Sequence, residues 1–340
     1  MPFLSTLRHK LTSIQFLDNS TEFLFGESID SQLPGDPNGS AQFLQAFEST
    51  LLQAGTRRLA GKLGRLKYLF DKSWQEQYGK VHAYIDRHVK RALEETSFNE
   101  KSGSSKDTKE GRYILLNEMA KQIRDPVSLR FQVLNVFLPA RDFPGILVSN
   151  ALFHLARNPE IWTELHEKSL ALGDRPLTFE LLKSQSCQIF KWVLNETSRL
   201  QGPNGKSLRT AIRDTILPVG GGLDGKAPVF VEKGTVVGAS VTGLHHDKDI
   251  WGDDVWKFNP YRFANKRYQW EFLPFFGGPR ICPAQQQVLT QALYLLVRMT
   301  REFVRIENRD PVEEYVEMVR MSTQSRNGVK VAFFTSNVLK

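Results

Sequence analysis

The stretch FFGGPRICPAQQQ, residues 275–287, holds one of only two cysteines in a chain of 340 residues. A glycine pair and an arginine precede Cys282, and a proline and a helix-like run follow it. A free thiol in such a place has three readings. It is a small buried hydrophobe, the usual fate of an unpaired cysteine; it is a nucleophile; or it ligates a metal. No nearby histidine is placed to activate a nucleophile. No second Cys or His lies at zinc-ligand spacing. A single thiolate does suit haem iron, because the porphyrin supplies the other four ligands.

The neighbours fit that third use. Gly277 and Gly278 permit a tight turn with close backbone approach. Arg280 is of the right type to pair with a porphyrin carboxylate. Pro283 suits the first position of a helix through Gln285, Val288 and Ala292. The free N–H groups of such a helix would stabilise a thiolate at its N-terminus.

Composition sets wider bounds. The chain is 41% hydrophobic and 24% charged, which describes a globular protein with a sizeable core. Two cysteines, Cys187 and Cys282, make no disulfide framework and point to a reducing compartment. No uninterrupted apolar stretch reaches transmembrane length. A net charge of +8 fits nucleic acid, anionic lipid or an acidic protein partner equally well. The opening MPFLSTLRHKLTSIQFL has Leu4, Leu7, Leu11 and Ile14 at helical spacing. It reads as an amphipathic helix of the domain, with a transit peptide as the less favoured reading.

Along the chain, residues 1–95 read as helices separated by a turn region at 33–40. RRLAGKLGRLKYLF, 57–70, is basic with interleaved Leu, Tyr and Phe: a solvated helix face, or more sharply a peripheral membrane contact. The polar run 101–111 reads as an exposed inter-helix loop. A long apolar helix is expected from about Asp125 to Arg157, followed by one capped by Asn158 with Pro159 in its first turn. Another is expected from about Thr178 to Leu200. Gly- and Pro-rich sequence at 202–241 then marks a small β region with a Lys233-Gly234 turn. Asn327-Gly328 reads as a tight hairpin turn. The expected class is mainly α with small β-sheets.

Phe275-x-x-Gly278-x-Arg280-x-Cys282 resembles the haem-binding loop of the cytochrome P450 family, the haem-thiolate monooxygenases. Glu196-Thr197-Ser198-Arg199 resembles the family's E-x-x-R, and Phe258-Asn259-Pro260-Tyr261-Arg262-Phe263 its PERF segment, with Tyr261 where Glu is usual. The family usually has Gly where this chain has Ala284, a mild change. The match runs from about Thr12 to Lys330. DNSTEFLFGES (18–28), RTAIRDTILPVGGG (209–222) and HHDKDIWGDDVWKFNP (245–260) are most similar to the fungal subgroup that hydroxylates alkanes and fatty acids at the chain end.

The resemblance implies a single catalytic domain over 1–340, with haem b (iron protoporphyrin IX) on Cys282 as the axial iron ligand. It implies that Arg280, Arg209, Phe275 and Gly278 help bind that cofactor. Glu196, Arg199 and Arg262 would form a structural network without chemistry. The expected reaction is that of an oxidoreductase using paired donors and dioxygen to hydroxylate long-chain aliphatic substrates. Electrons would come from NADPH through a flavoprotein reductase, at the cytosolic face of the endoplasmic reticulum membrane, with no nucleic-acid partner.

Two departures stand against this. Where the family carries A/G-G-x-D/E-T-T/S over the oxygen face, this chain reads Ala140-Arg141-Asp142-Phe143-Pro144-Gly145. Asp142 survives, as a relay remnant or as a polar residue facing a groove. Phe143 replaces the threonine that helps deliver protons. Pro144 removes a helix hydrogen bond to Ala140 and should kink the helix, at ~3 kcal/mol for an interior proline. Second, roughly the first third of the family's length is missing, including its anchor, much of one sheet and a haem-clasping helix. The P450 fold is therefore expected to lack its N-terminal portion. A peroxide-using or peroxide-rearranging haem-thiolate enzyme, or a degenerate relative without turnover, remain as alternatives.

Overall fold

A computed structural model describes residues 9–34, 39–60, 68, 71–102, 113–319 and 322–336. Helices dominate: α1 (His9–Phe25), α2 (Ser40–Leu59), α3 (Lys72–Ser102), α4 (Leu115–Gln122) and α5 (Pro126–Leu155) come first. Then come α6 (Pro159–Ala171), α7 (Phe179–Lys183), α8 (Gln188–Gln201), two short helices, α9 (Val241–His245) and α10 (Lys248–Trp251), and finally α11 (Gln285–Glu302).

α5 is the axis of the molecule. The Asp125 carboxylate accepts the Ser128 N–H at 2.7 Å, and Pro126 opens the first turn, where a missing N–H costs nothing. The N-terminal half of α5 buries Leu129, Val133 and Phe137 against α1, α2, α3 and α4. Its C-terminal half buries Leu147, Val148, Ala151, Leu152 and Leu155 with α6, α8 and α11. Two hydrophobic cores thus share one helix, and the stretch containing Pro139 and Pro144 lies between them. The helix is continuous through both prolines. The turn lost at Pro144 is held by burial from the proline onward, since Pro144, Gly145 and Ile146 are all buried.

The β elements form four antiparallel pairs: β1 (Lys206–Thr210) with β4 (Val236–Ser240), β2 (Thr215–Gly221) with β3 (Ala227–Val231), β5 (Arg305–Asn308) with β8 (Val331–Phe334), and β6 (Glu317–Val319) with β7 (Thr323–Ser325). Lys206 faces Ser240 and Thr210 faces Val236 in the first pair. β8 is buried along its whole length. β1 to β4 instead leave Leu208, Ile216, Val219, Phe230 and Val236 exposed.

Several local expectations change. The helix expected over 178–200 is broken: α7 starts at a Thr178 cap and stops at Ser184, whose extended backbone precedes a 3-10 turn, Gln185–Cys187. Asn158 stands at the N-cap of α6 but does not cap it; its side chain donates back to the His154 carbonyl at 2.7 Å. Pro283 lies before the first turn of α11, because Ala284 is the cap residue. The Lys233-Gly234 and Asn327-Gly328 turns exist, with Gly234 and Gly328 at positive φ, but neither closes a hairpin. β4 pairs with β1, and β7 with β6, since strand partners are chosen by packing across the fold. α3 extends to Ser102, and the rest of the loop expected at 101–111 lies outside the described residues. So does most of the basic stretch 57–70; of it, Arg57 pairs with Asp71 at 2.9 Å and lies over the Tyr68 and Trp74 rings. Among the described residues no helix is long and apolar enough to cross a membrane.

Candidate haem-thiolate site

Glu196 sits on α8, whose buried positions Ile189, Phe190, Val193 and Leu194 fix the helix against α5 and α11. Fixing that face also buries Glu196 and Arg199 completely. Such a burial is tolerable only if every lone pair and N–H is used. Glu196 accepts Arg199 Nε and Nη2, each at 2.8 Å, in a bidentate fork. It also accepts the Asn259 N–H at 3.0 Å and Arg262 Nε at 3.1 Å. Arg199 Nη1 donates to the His245 carbonyl at 2.9 Å. Arg262 donates to the Trp251 carbonyl and to the Asp254 carboxylate at 2.8 Å. Burial works to lower the Arg262 pKa, but Asp254 and Glu196 outweigh it and hold the guanidinium above its ordinary value. The hydrogen bond and charge of Arg262 in turn hold Asp254 below the usual carboxylate range.

The sequence-expected triad is therefore brought together, and Asp254 and His245 join it. Neither was found by motif reasoning; each lies in the segment 245–260 but carries no spacing of its own. His245 links the network to the cysteine loop. Its Nε2 accepts the Leu273 N–H at 2.9 Å, and its ring packs on Phe272. Burial holds its pKa down at about 4, so the ring is neutral and free to accept.

From Leu273 the chain turns back on itself. The Cys282 N–H donates to the Phe275 carbonyl at 3.0 Å, closing the loop that carries the thiol. Gly278 has φ +70° with open space around it, and Phe276 also adopts positive φ, +60°, which the motif did not disclose. Gly277 is extended; there a Cβ would come within 2.7 Å of the Trp270 ring. The two glycines thus serve different needs, one conformational and one of close approach. Ala284 has a negative φ, −92°, so its backbone does not call for glycine.

The site residues differ in how committed they are. Phe275 is half-buried against the larger core cluster. Cys282 is half-buried, while Arg280 on its 3-10 turn and Arg209 on β1 are exposed. Arg209 donates only to Ser207 Oγ and the Leu208 carbonyl, and no described carboxylate pairs with either arginine. Asp142 stands apart on α5, its carboxylate 23% exposed and its pKa raised, chiefly by burial.

The donor chemistry decides what metal such a site suits. No cluster of three or more His, Cys, Asp or Glu able to hold an ion exists among the described residues. One accessible thiol on a rigid turn cannot build a tetrahedral or octahedral site alone. It does fit a group that brings four ligands and its own negative charges, for which two uncommitted guanidiniums are suitable partners. Haem passes that test.

Comparison with known proteins agrees with this chemistry. The chain is 39% identical over 321 residues to the cytochrome P450 monooxygenase iliC of Neonectria sp. (strain DH2), with 94% of this chain and 62% of the relative covered. It is 40% identical over 321 residues to cytochrome P450 52-M1 of Starmerella bombicola, covering 88% and 58%. Against cytochrome P450 52A3-A of Candida maltosa the identity is 37% over 336 residues, covering 93% and 62%. The chain thus spans about three-fifths of the length of these relatives. The family model for Cytochrome P450 matches residues 9–329, nearly the whole sequence, and the chain belongs to the cytochrome P450 family.

Proposed function

We propose that the chain binds haem b through the Cys282 thiolate and serves a monooxygenase reaction that hydroxylates long-chain aliphatic substrates, alkanes or fatty acids. The observation that carries this reading is the half-buried thiol, held on a loop braced by His245, with the exposed Arg280 two residues before it. When bound, the haem supplies activation of dioxygen, and a thiolate ligand favours O–O cleavage. The chain's own residues do the rest. Cys282 binds the iron, and the turn at Gly278 presents its sulfur. Arg209 and Arg280 bind carboxylates of the cofactor through charge-assisted hydrogen bonds. Asp142, whose burial favours the protonated form, would hold a proton for the reaction.

The aliphatic substrate is supported by the resemblance of 18–28, 209–222 and 245–260 to the fungal alkane and fatty-acid subgroup, and by relatives carrying the 52 designation. Electrons from NADPH through a flavoprotein reductase follow from the family, and the net charge of +8 suits an acidic partner face. Location at the endoplasmic reticulum membrane belongs to the same proposal.

Phe143 favours a second reading. A phenyl ring cannot relay a proton, and an enzyme that uses or rearranges peroxides needs no such relay. The deciding experiment is the carbon monoxide difference spectrum of the reduced protein, expressed with haem precursor. A thiolate-ligated Soret band is expected; absence of haem would overturn the proposal and leave the degenerate relative. Turnover of an alkane or fatty acid with reductase, against reductase-independent consumption of a lipid hydroperoxide, then separates the two enzymes.

A further inference from the structure

Arg141 is a buried cation in an apolar surrounding. Its side chain is 4% exposed and its guanidinium lies over the Phe47 ring. Nη2 meets Glu48 Oε1 on α2 at 2.9 Å, Nη1 meets Asp142 Oδ1 on its own helix at 3.5 Å, and Nε is buried without a partner. Neighbouring residues of a helix point in different directions, and Arg141 bridges the two acids unequally. The closer contact belongs to Glu48.

α2 is seated mainly on α3, and it reaches α5 through Phe43 and Phe47 on Phe137 and through this ion pair. Glu48 is itself half exposed, 49%, so its pairing depends on how α2 sits. No other described cation lies within ion-pair distance of Asp142.

We propose that Glu48 and Asp142 compete for the buried guanidinium of Arg141, so that the seating of α2 on α5 governs how closely Asp142 is ion-paired. Arg141 is then a positioning residue. With α2 seated, Glu48 takes the shorter contact with the cation and Asp142 the longer one. With α2 displaced, Arg141 turns to Asp142 and stabilises its carboxylate. A shift of α2 would change the proton affinity of Asp142 through this shared cation. The role of that proton rests on the proposed monooxygenase function; the competition itself needs neither haem nor turnover.

The test is titration of the Asp142 carboxyl by carbon NMR of aspartate-labelled protein, assigned with D142N, in wild type, E48Q, R141M and E48Q/R141M. The Asp142 midpoint should fall in E48Q and rise in R141M. The fall produced by E48Q should largely vanish in the R141M background, because no cation is left to hand over. An equal fall in both backgrounds would show only the direct field of Glu48 and overturn the proposal, as would an unmoved midpoint in E48Q. If R141M does not fold, E48D replaces it. That variant keeps the charge but shortens the reach, so competition lowers the midpoint while a field effect alone leaves it in place. Carbon monoxide spectra recorded separately keep failure of haem binding distinct from failure of this inference.

Discussion

The chain treats its arginines in two opposite ways. Arg199 is fully buried, and Arg262 is nearly so; Arg199 is saturated by Glu196 and backbone carbonyls, Arg262 by Glu196, Asp254 and backbone carbonyls. Arg209 and Arg280 stand exposed with no described acid opposite them. A desolvated charge survives in a folded protein only when its partners come from the same chain, whereas an exposed cation waits at no cost for a partner from outside. The difference separates residues that hold the structure from residues that the proposed function uses.

The sharpest way to break this comparison is at the thiol. Cys282→Ser should fold as the wild type does and lose the thiolate-ligated Soret band entirely; retention of the band would refute the ligand assignment. Next in size is Glu196→Gln, which leaves two buried guanidiniums short of charge. Removing one partner from a buried pair costs roughly 3–5 kcal/mol, so a large fall in urea midpoint is expected. A loss below about 1 kcal/mol would mean that the network is not tied together as described.

The buried histidines give an effect of intermediate size. His88, His154 and His245 are each held down at about 4 by burial. They remain neutral in the fold, whereas the unfolded chain protonates them near the ordinary histidine value, about 6.5. The unfolded state therefore binds more protons as pH falls from about 6.5 to about 4, and stability drops through that window. The upper bound is roughly 3 kcal/mol per ring. Denaturation at pH 7 and pH 5 should show the drop, and a flat midpoint would deny the burial.

Smaller still is the double change Arg209→Gln with Arg280→Gln. Stability should stay within about 0.5 kcal/mol, as for exposed residues without partners, while haem occupancy after gel filtration falls. Equal occupancy would remove both from the cofactor site. Last comes Tyr261→Phe. Tyr261 stands where the family usually has Glu, and its hydroxyl meets Glu164 at the surface. Its loss should change stability by no more than about 0.5 kcal/mol.

How far the sequence could be read depended on the range of the interaction. The thiol loop, the E-x-x-R pair and the long apolar helix were legible because glycines, an i,i+3 charge pair and a 3.6-residue period are local patterns. Asn158 misled because its side chain found the His154 carbonyl, a choice made by helix geometry and not by residue type. The Asn327-Gly328 turn misled because its flanking strands found better partners elsewhere.

The sequence by itself determined the family, the helical class and the presence of a thiol, Cys282, beside a glycine turn. Only the tertiary structure decided that His245 braces the loop, that Asp254 completes the arginine network, and that Arg141 is shared between two acids on different helices. The physical reason is distance along the chain. Arg262 lies 66 residues from Glu196, and Arg141 lies 93 from Glu48. Contacts of that separation leave no periodic trace in a sequence, because packing alone brings them together.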